Sequence, residues 1–316
     1  IMNNIKYTFL LPAYKARFFE EALLSIKNQT YTDFKVIVSD DCSPENLKSI
    51  YDKVCADDPR FTFRRNEDNM GSKSLVSHWN LLVDMCDTEF FIMASDDDVY
   101  NQKFLEEINK LTIKYPQVNL FRGKARRINE CNNILFEDAT HPEFLCQIDY
   151  LRYITSSLLM LCEANYCYRT QEFKLSGGYI DFPKAWFSDQ ATHILMSRNG
   201  NVSTKEILFT QRSSNINISS IKSSPIDSEI KIKALLLFNK WIKKYIDELY
   251  MPNSGMLKPL ILSNHQKTII EIVYGRMPDV YFFSLLKLSK ESQKNLGMSR
   301  MKLFYDWICK RIKDKR

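Results

Sequence analysis

Clusters of acidic residues follow two apolar segments in the first hundred residues. Asp41 lies just after the segment 34–38, and three consecutive aspartates, 96–98, follow the segment 90–94. Adjacent carboxylates repel one another unless a cation neutralises them, and Mg²⁺ and Mn²⁺ prefer carboxylate oxygens. The clusters therefore predict a divalent metal that carries a diphosphate. Helix capping is the alternative, and it explains one aspartate of each cluster.

The segments around these clusters alternate between strand-like and helical patterns as far as residue 125. Five segments are strand-like: 7–11, 34–38, 61–65, 90–94 and 119–122. This alternation predicts an α/β fold with a mainly parallel sheet, whose ligand site lies beyond the carboxyl ends of the strands. Both acidic clusters are at such ends, so we expect them to converge on one edge.

The second half of the chain changes character. A Ser- and Asn-rich stretch from Arg212 to Ser228 predicts a linker or mobile loop, and helical stripes follow it. We therefore predict an α/β domain over 1–225, which contains the ligand site, and a helical C-terminal region with a basic amphipathic end over 226–316.

The amino-acid composition excludes collagen-like, mucin-like and broadly disordered proteins. The chain has 316 residues, of which 45% are hydrophobic and 26% charged, which is typical of a globular protein. Its eight cysteines form no CxxC pair and its four histidines have no zinc-like spacing, so reduced thiols are expected. No apolar run is long enough for a membrane span and the N-terminus lacks the pattern of a signal peptide, which predicts a cytoplasmic protein.

Positive charge is concentrated at the C-terminal end. Residues 286–316 contain ten Lys or Arg against three acidic residues, whereas the net charge of the whole chain is +6. The rest of the chain is nearly neutral, which argues against a nucleic-acid-binding protein. From about residue 299 a helical stripe of Phe304, Trp307, Ile308 and Ile312 lies beside this charge, as in helices that lie on anionic membranes. Packing of the stripe on the protein body is the alternative.

Four segments, in order, resemble the family 2 glycosyltransferases with the GT-A fold. They are LLPAYKARFFEEALLSIKNQTYTDFKVIVSDDCSPE, NMGSKSLVSHWN, EFFIMASDDDVY and WFSDQATHILMSRNG. The resemblance covers about residues 5–215, and its specificity comes from the order and spacing of the series rather than from any one motif.

The resemblance implies a role for each matching residue. It assigns the nucleotide sugar to Pro12, Ala13, Tyr14, Asp41, Asn69, Lys73 and Asp96. Tyr14 would stack on the base and Asp41 would accept the uracil N3 hydrogen. Asp97 would be the metal ligand, with Asp98 as a second ligand, for Mn²⁺ or Mg²⁺. The common metal motif has an aspartate where Ala94 lies here, which leaves the register of the three aspartates open.

The resemblance also implies the acceptor side. Asp189 matches the general base of the family, and capping of the helix predicted at 190–198 is the alternative role for it. Trp186 and Arg212 are candidate acceptor residues; the alternatives are cover for the core and a surface ion pair. An arginine that usually follows the NMG segment is replaced, so Lys73 is the candidate for its phosphate contact.

The implied reaction is an inverting transfer from a nucleotide sugar, a UDP-sugar above all, to a saccharide hydroxyl. A lipid-linked acceptor of bacterial surface polysaccharide or O-antigen synthesis fits the size and the basic end, which would hold the enzyme at the inner membrane face. Two other classes stay open. A nucleotidyltransferase would need a Gly-rich loop near the N-terminus, which PAYKARF lacks, and a non-catalytic nucleotide-sugar binding module would not need Asp189.

Overall fold

A computed structural model describes residues 5–214, 224–252 and 254–314. The chain divides into two units. The first, here the sheet unit, consists of Ile1–Tyr150, Leu158–Ile180 and Thr192–Ser214. The second, here the helical unit, consists of Leu151–Ser157, Asp181–Ala191 and Asn215–Arg316. The predicted boundary between residues 225 and 226 remains a prediction, and the centre of the predicted linker, 215–223, lies outside the described residues.

Ten strands of the sheet unit form one mixed sheet in the order β3-β2-β1-β4-β9-β6-β10-β5, with β7 beside β6 and β8 beside β10. Their bounds are β1 Tyr7–Ala13, β2 Phe34–Asp40, β3 Phe61–Arg65, β4 Phe90–Met93, β5 Val99–Tyr100, β6 Leu120–Asn129, β7 Ile134–Glu137, β8 Phe144–Leu145, β9 Tyr166–Arg169 and β10 Asn201–Ser213. The predicted α/β class with a GT-A-like sheet is confirmed.

The first four strands are mutually parallel, and their carboxyl ends share one edge. Ala13 of β1 is in register with Asp40 of β2, and Leu10 of β1 with Met93 of β4. Residues that directly follow β1, β2 and β4 are therefore neighbours. The antiparallel strand β9 lies between β4 and β6, and β6 pairs in parallel with β10.

Helices flank this sheet because they bury one apolar stripe each. In α1, the residues Phe19, Leu23 and Ile26 are buried at helical spacing against the sheet. The helices of the sheet unit are α1 Phe19–Lys27, α2 Leu47–Cys55, α3 Met70–Asp84, α4 Phe104–Lys114 and α6 Thr170–Leu175. Two more, α5 Gln147–Thr155 and α7 Ser188–Met196, cross from one unit into the other.

A buried ion pair lies within the sheet unit. Arg122 donates to Asp138 at 2.8 Å, and the side chains of both are fully buried. Asp138 also accepts from the backbone N–H groups of Ala125 and Met160. The carboxylate is thus hydrogen-bonded on both oxygens, which offsets much of the free energy lost when a charge is buried.

The helical unit contains α8 Pro225–Glu248, α9 Ser254–Arg276, α10 Phe282–Leu296 and α11 Arg300–Lys313. The predicted stripe on α11 divides in two. Trp307 turns toward the unit and donates its indole N–H to the carbonyl of Val280 at 2.8 Å, whereas Ile308 and Ile312 are about half exposed. Within the described ranges no helix is both long enough and apolar enough to span a bilayer.

Candidate active site

Asp96 joins the ends of two parallel strands. Its Oδ2 accepts hydrogen bonds from the backbone N–H groups of Tyr14 and Lys15, both at 2.8 Å. Tyr14 and Lys15 directly follow β1, whereas Asp96 follows β4. This carboxylate therefore fixes the loop after β1 at the edge where an α/β sheet binds its ligand.

The ammonium group of Lys15 lies between two of the three aspartates. Its Nζ is 3.1 Å from Oδ1 of Asp96 and also contacts Oδ2 of Asp97. Burial by itself lowers the pKa of Lys15, but the two carboxylates outweigh it and raise the pKa above its ordinary value. Burial raises the pKa of Asp97, with Asp96 adding to the shift and Lys15 opposing it. Lys15 was not among the predicted site residues, although its place after Pro12–Tyr14 was visible.

Asp98 faces the other side of the cluster. Its Oδ1 accepts from the backbone N–H of Arg212 at 2.8 Å, and its Oδ2 accepts from the hydroxyl of Ser95. Burial, together with the charge of Asp97, raises the pKa of Asp98 to about 7. Both of its oxygens thus have protein partners, and its role as a second metal ligand remains a prediction.

The donor set fits a divalent cation that is shared with a phosphate. Among the described residues no three His, Cys, Asp or Glu side chains are grouped to hold a metal by themselves. Mg²⁺ is commonly held by one or two carboxylates together with substrate phosphates. Asp96 and Asp97 provide that number, and the Lys15 ammonium shows that a cation is accommodated between them. Asp97, the predicted ligand, would hold the metal together with Asp96, which was predicted for the nucleotide and lies beside the same cation position, in place of Asp98.

Asp41 is bound to the first turn of α3. Its Oδ1 accepts from Asn66 Nδ2 at 2.8 Å and from the backbone N–H of Met70, and its Oδ2 accepts from the backbone N–H of Gly71 at 2.7 Å. His78 Nδ1 lies 3.6 Å from the same carboxylate, and burial lowers the pKa of this histidine. A carboxylate has about four acceptor positions, so these contacts leave room for one more hydrogen bond.

The remaining residues predicted for the donor differ in exposure. Pro12 and Ala13 end β1, and Tyr14 is 41% exposed while its carbonyl accepts from Ser43. Asn69 caps α3 by accepting from the backbone N–H of Ser72. Lys73 is largely exposed and pairs with Asp68 at 2.9 Å. Tyr14 therefore has a ring surface that can stack, and Lys73 has a charge that is only weakly held.

Arg212 lies under the loop that follows β1 rather than at the surface. Its guanidinium contacts Glu21 at 2.6 Å and Asn132 at 2.9 Å, and lies 4.4 Å from the ring centre of Phe18. The side chain is almost fully buried. Arg212 does form an ion pair, with the half-exposed Glu21, although its own side chain is buried, and its role toward an acceptor remains a prediction.

Asp189 lies in the helical unit, in the first turn of α7. The helix begins at Ser188, two residues before the predicted start. Oδ1 of Asp189 accepts a hydrogen bond from the backbone N–H of Gln190 at 2.8 Å. Lys184, Ala185 and Phe187 just before it all have positive φ values, of 57°, 55° and 68°. Non-glycine residues with positive φ values cost conformational free energy, and they cluster at functional sites.

Trp186 lies inside this strained loop, between two cations. Lys231 Nζ is 4.6 Å and the Arg276 guanidinium carbon is 5.0 Å from the centre of its ring. Lys231 is buried and pairs with Asp227 at 2.8 Å. The cation–π contacts hold the loop in the helical unit. Trp186 therefore packs against Lys231 and Arg276 of the helical unit. Its contact with an acceptor remains a prediction.

A cluster around Glu163 was missed by the sequence reasoning. Its carboxylate accepts from the hydroxyls of Tyr168 and Tyr179 and lies 3.2 Å from His193 Nε2. Glu163, Tyr168 and Tyr179 belong to the segment Leu158–Ile180 of the sheet unit and His193 to the segment Thr192–Ser214, and no local pattern connects all four. No sequence signal could have found this cluster.

The described acidic edge lies at the carboxyl ends of parallel strands, where an α/β domain binds its ligand. Residues 8–138 match the family described as glycosyl transferase family 2. An uncharacterized glycosyltransferase of Rickettsia conorii is 22% identical over 153 residues, which are 46% of this chain and 24% of that protein. A GalNAc(5)-diNAcBac-PP-undecaprenol beta-1,3-glucosyltransferase of Campylobacter jejuni is 30% identical over 94 residues, 29% of this chain and 30% of that protein. The matches thus span less than a third of each relative.

Solved structures share the fold over nearly the whole chain. The S. aureus TarS fragment 1–349 in complex with UDP-GlcNAc has a TM-score of 0.65 at 16% identity, covering 96% of this chain and 89% of that one. The mannosyltransferase PcManGT of Pyrobaculum calidifontis, in complex with GDP-Man and Mn²⁺, has a TM-score of 0.56 at 14% identity, covering 98% and 88%. At these identities the likeness establishes the fold alone.

Proposed function

We propose that the chain is an inverting glycosyltransferase that moves a sugar from a UDP-sugar to a hydroxyl of a lipid-linked saccharide, in the synthesis of a bacterial surface polysaccharide. The observation that carries the proposal is the Asp96 carboxylate, which joins the ends of β1 and β4 beside a cation position shared with Asp97. A family 2 domain with this edge has what a nucleotide diphosphate requires.

The donor is assigned to the sheet unit. The half-exposed ring of Tyr14 would stack on the base, and the Asp41 carboxylate would accept the N3 hydrogen of uracil. Asn69, at the N-terminus of α3, and the weakly held Lys73 would lie toward the ribose and phosphates. The TarS structure holds UDP-GlcNAc and the PcManGT structure holds GDP-Man, so the shared fold does not select the base, and the choice of UDP rests on the fit of Asp41 to uracil.

Asp189 would act as the general base. It accepts the proton of the acceptor hydroxyl while that oxygen forms a bond to the anomeric carbon, and the bond from this carbon to the diphosphate oxygen breaks. The electron pair of the broken bond leaves with the diphosphate, so a single displacement inverts the configuration. An ordinary aspartate is ionised at neutral pH, which suits it to accept the proton.

A divalent metal held by Asp96 and Asp97 would neutralise the charge that develops on the departing diphosphate. Lys15, which contacts both carboxylates, would give them up to such a metal, and its long side chain would then carry a positive charge toward the phosphates. The loop before Asp189, with its three positive φ values, would position the base.

The acceptor is assigned by analogy and by charge. The Campylobacter relative is named for a diphosphate-linked undecaprenol acceptor. A lipid-linked acceptor is presented at a membrane, and the ten basic residues over 286–316 suit an anionic membrane surface. Trp186, in the loop before Asp189, is the candidate for contact with the acceptor sugar.

The first test is nucleotide binding, followed by turnover. Thermal unfolding is measured with UDP, GDP, CDP and dTDP, each with and without Mn²⁺. A ligand at 100 times its Kd adds about 2.7 kcal/mol to the stability of the folded state. We expect metal-dependent stabilisation by UDP alone, after which UDP-sugars are screened with undecaprenyl-diphosphate saccharides.

The variant Asp189→Asn separates an enzyme from a binding module. We expect UDP to stabilise the variant as well as the native chain while turnover falls by about a hundredfold or more, because a general base supplies that much. Lys184→Gln is the matched control in the same loop. Undiminished turnover in Asp189→Asn would contradict the assignment of the base, and stabilisation by another nucleotide would contradict the donor.

A further inference from the structure

Large apolar side chains are exposed together on α10 and α11 of the helical unit. On α11 they recur at intervals of four, three and four residues, which places them along one face of the helix. We call the set the α10–α11 surface; it consists of Phe282, Phe283, Met301, Tyr305, Ile308 and Ile312. Phe283 and Met301 are each 83% exposed, and Tyr305 is 67% exposed.

This face is exposed because another face of α11 already holds the helix in place. Leu303 is buried, and Trp307 and Arg311 both donate to the carbonyl of Val280, at 2.8 and 3.1 Å. Lys310 pairs with Asp279. The exposed stripe is therefore not a core stripe that lost its partner, since the helix has a separate packed side.

The exposed start of α10 lies beside α11. The ring centre of Phe282 lies 5.8 Å from that of Trp307 and 6.0 Å from that of Phe283. Phe282 thereby places the start of α10 beside the middle of α11, at Trp307 on the packed side of that helix. Contiguous exposed apolar patches on a folded protein mark interaction sites more often than scattered single residues do.

Basic residues surround the patch. Residues 300–313 contain five Lys or Arg and a single acidic residue, Asp306. Lys302 and Lys313 are exposed on α11, and Lys287 and Lys290 are exposed on α10. An apolar stripe with flanking lysines, and with Phe, Tyr and Ile at its centre, has the chemistry of a surface that inserts between lipid headgroups.

We propose that the α10–α11 surface binds an anionic lipid membrane, with Phe283 and Tyr305 inserted at headgroup depth. A second copy of the chain is a poorer occupant, because self-pairing of this surface would bring two basic rims together. The inference goes beyond the proposed function, because binding of lipid requires neither donor nor acceptor.

Vesicle sedimentation tests the proposal with the full chain. The probes are phosphatidylcholine vesicles with and without about 30 mol% phosphatidylglycerol, a fraction that gives a clearly negative surface. We expect sedimentation with the anionic vesicles, weakening as salt is added, and little with the neutral ones. Absence of sedimentation with the anionic vesicles would overturn the proposal.

A double variant of the apolar centre, Phe283→Glu with Tyr305→Glu, is expected to lower anionic-vesicle binding by about tenfold or more, because it removes buried apolar area and adds repulsion. The matched control is Tyr250→Glu with Met256→Glu, which makes the same charge change at positions 86% and 79% exposed in the same unit. Equal loss in both double variants would overturn the assignment of this surface.

Two further readouts separate other outcomes. UDP-induced stabilisation, measured on every variant, reports the sheet unit and the fold, so that failure of the proposed donor site and failure of lipid binding are distinguished. Sedimentation equilibrium reports self-association: a dimer that the Phe283 and Tyr305 changes abolish, without vesicle binding by the native chain, would assign the surface to a second copy.

Discussion

Lys15 Nζ lies 3.1 Å from Oδ1 of Asp96, so a lysine from the end of one strand neutralises an aspartate from the end of the next. The same ammonium contacts Asp97. An ammonium and a divalent metal compete for the same oxygens. The proposed binding of a metal at this edge would therefore exchange one cation for another.

The substitution Lys15→Met tests this exchange. Loss of the ammonium leaves two buried carboxylates without their cation, and we expect the affinity for Mn²⁺ alone to rise by about tenfold, since one competing charge near these oxygens is removed. Titration with Mn²⁺, followed by electron paramagnetic resonance, measures it. Lys73→Met, at an exposed lysine, is the control. An unchanged or weaker Mn²⁺ affinity in Lys15→Met would show that the carboxylates are not the metal site.

Gly71→Ala is expected to damage the Asp41 site. A Cβ at this position would lie 2.9 Å from Asp41 Oδ2, so the carboxylate or the first turn of α3 has to move. We expect UDP affinity to fall by about tenfold, in line with the loss of one charge-assisted hydrogen bond. Isothermal calorimetry checks it. Gly275→Ala is the control: no atom lies within 4 Å of its added Cβ, and it is expected to leave UDP binding unchanged. Equal affinities for both variants would refute this role of Asp41.

The buried pair of Arg122 and Asp138 predicts a large effect on stability. Asp138→Ala leaves the guanidinium buried without its counter-ion, at a cost of about 3–5 kcal/mol in the free energy of unfolding. Urea denaturation measures the loss. The pair of Lys35 and Asp87 is much more exposed, so Asp87→Ala is expected to cost less than about 1 kcal/mol. Similar losses in the two variants would mean that burial does not set the strength of the Arg122 pair.

Because His265 is buried, the free energy of unfolding is expected to fall in acid. Burial in α9, with the charge of Lys243 adding to the effect, lowers the pKa of His265 to about 4. The unfolded chain, with an ordinary value near 6.5, binds a proton between these limits and the folded chain does not. His265 therefore does not lower the free energy of unfolding above about pH 6.5. As the pH falls from 6.5 toward 4, protonation of the unfolded chain lowers the free energy of unfolding by a total of about 3 kcal/mol.

Urea denaturation between pH 4 and 7 measures this slope, with His265→Phe as the comparison. The side chain lies 5.3 Å from the ring of Phe238, in surroundings that accept an aromatic ring. We expect the variant to lose the part of the acid dependence that His265 causes. A slope that is the same in both proteins would refute the prediction.

Much of the donor edge could be predicted because its signal is local. Asp41 and Asp96 each follow an apolar strand directly, and parallel pairing brings such positions together whatever the details of the loops. The fold class followed from the same alternation. The family resemblance added roles that composition and spacing do not carry, above all that of Asp189.

What could not be predicted depends on contacts between distant segments. The engagement of Asp98 with the backbone of Arg212 joins residues 114 positions apart. The division of the α11 stripe, with Trp307 turned inward and Ile308 outward, depends on where the carbonyl of Val280 lies. A helical pattern shows that a stripe exists but not which edge of it the rest of the protein covers.

The position of β9 in the sheet has a consequence for synthesis of the chain. This strand, Tyr166–Arg169, pairs with β4 on one side and with β6 on the other, although both are made earlier. Until residue 169 has left the ribosome, β4 and β6 each have an edge without its hydrogen-bonding partner, because both edges pair with β9. Unpaired margins of this kind promote aggregation, so slow translation or truncation before residue 166 is expected to yield insoluble chains.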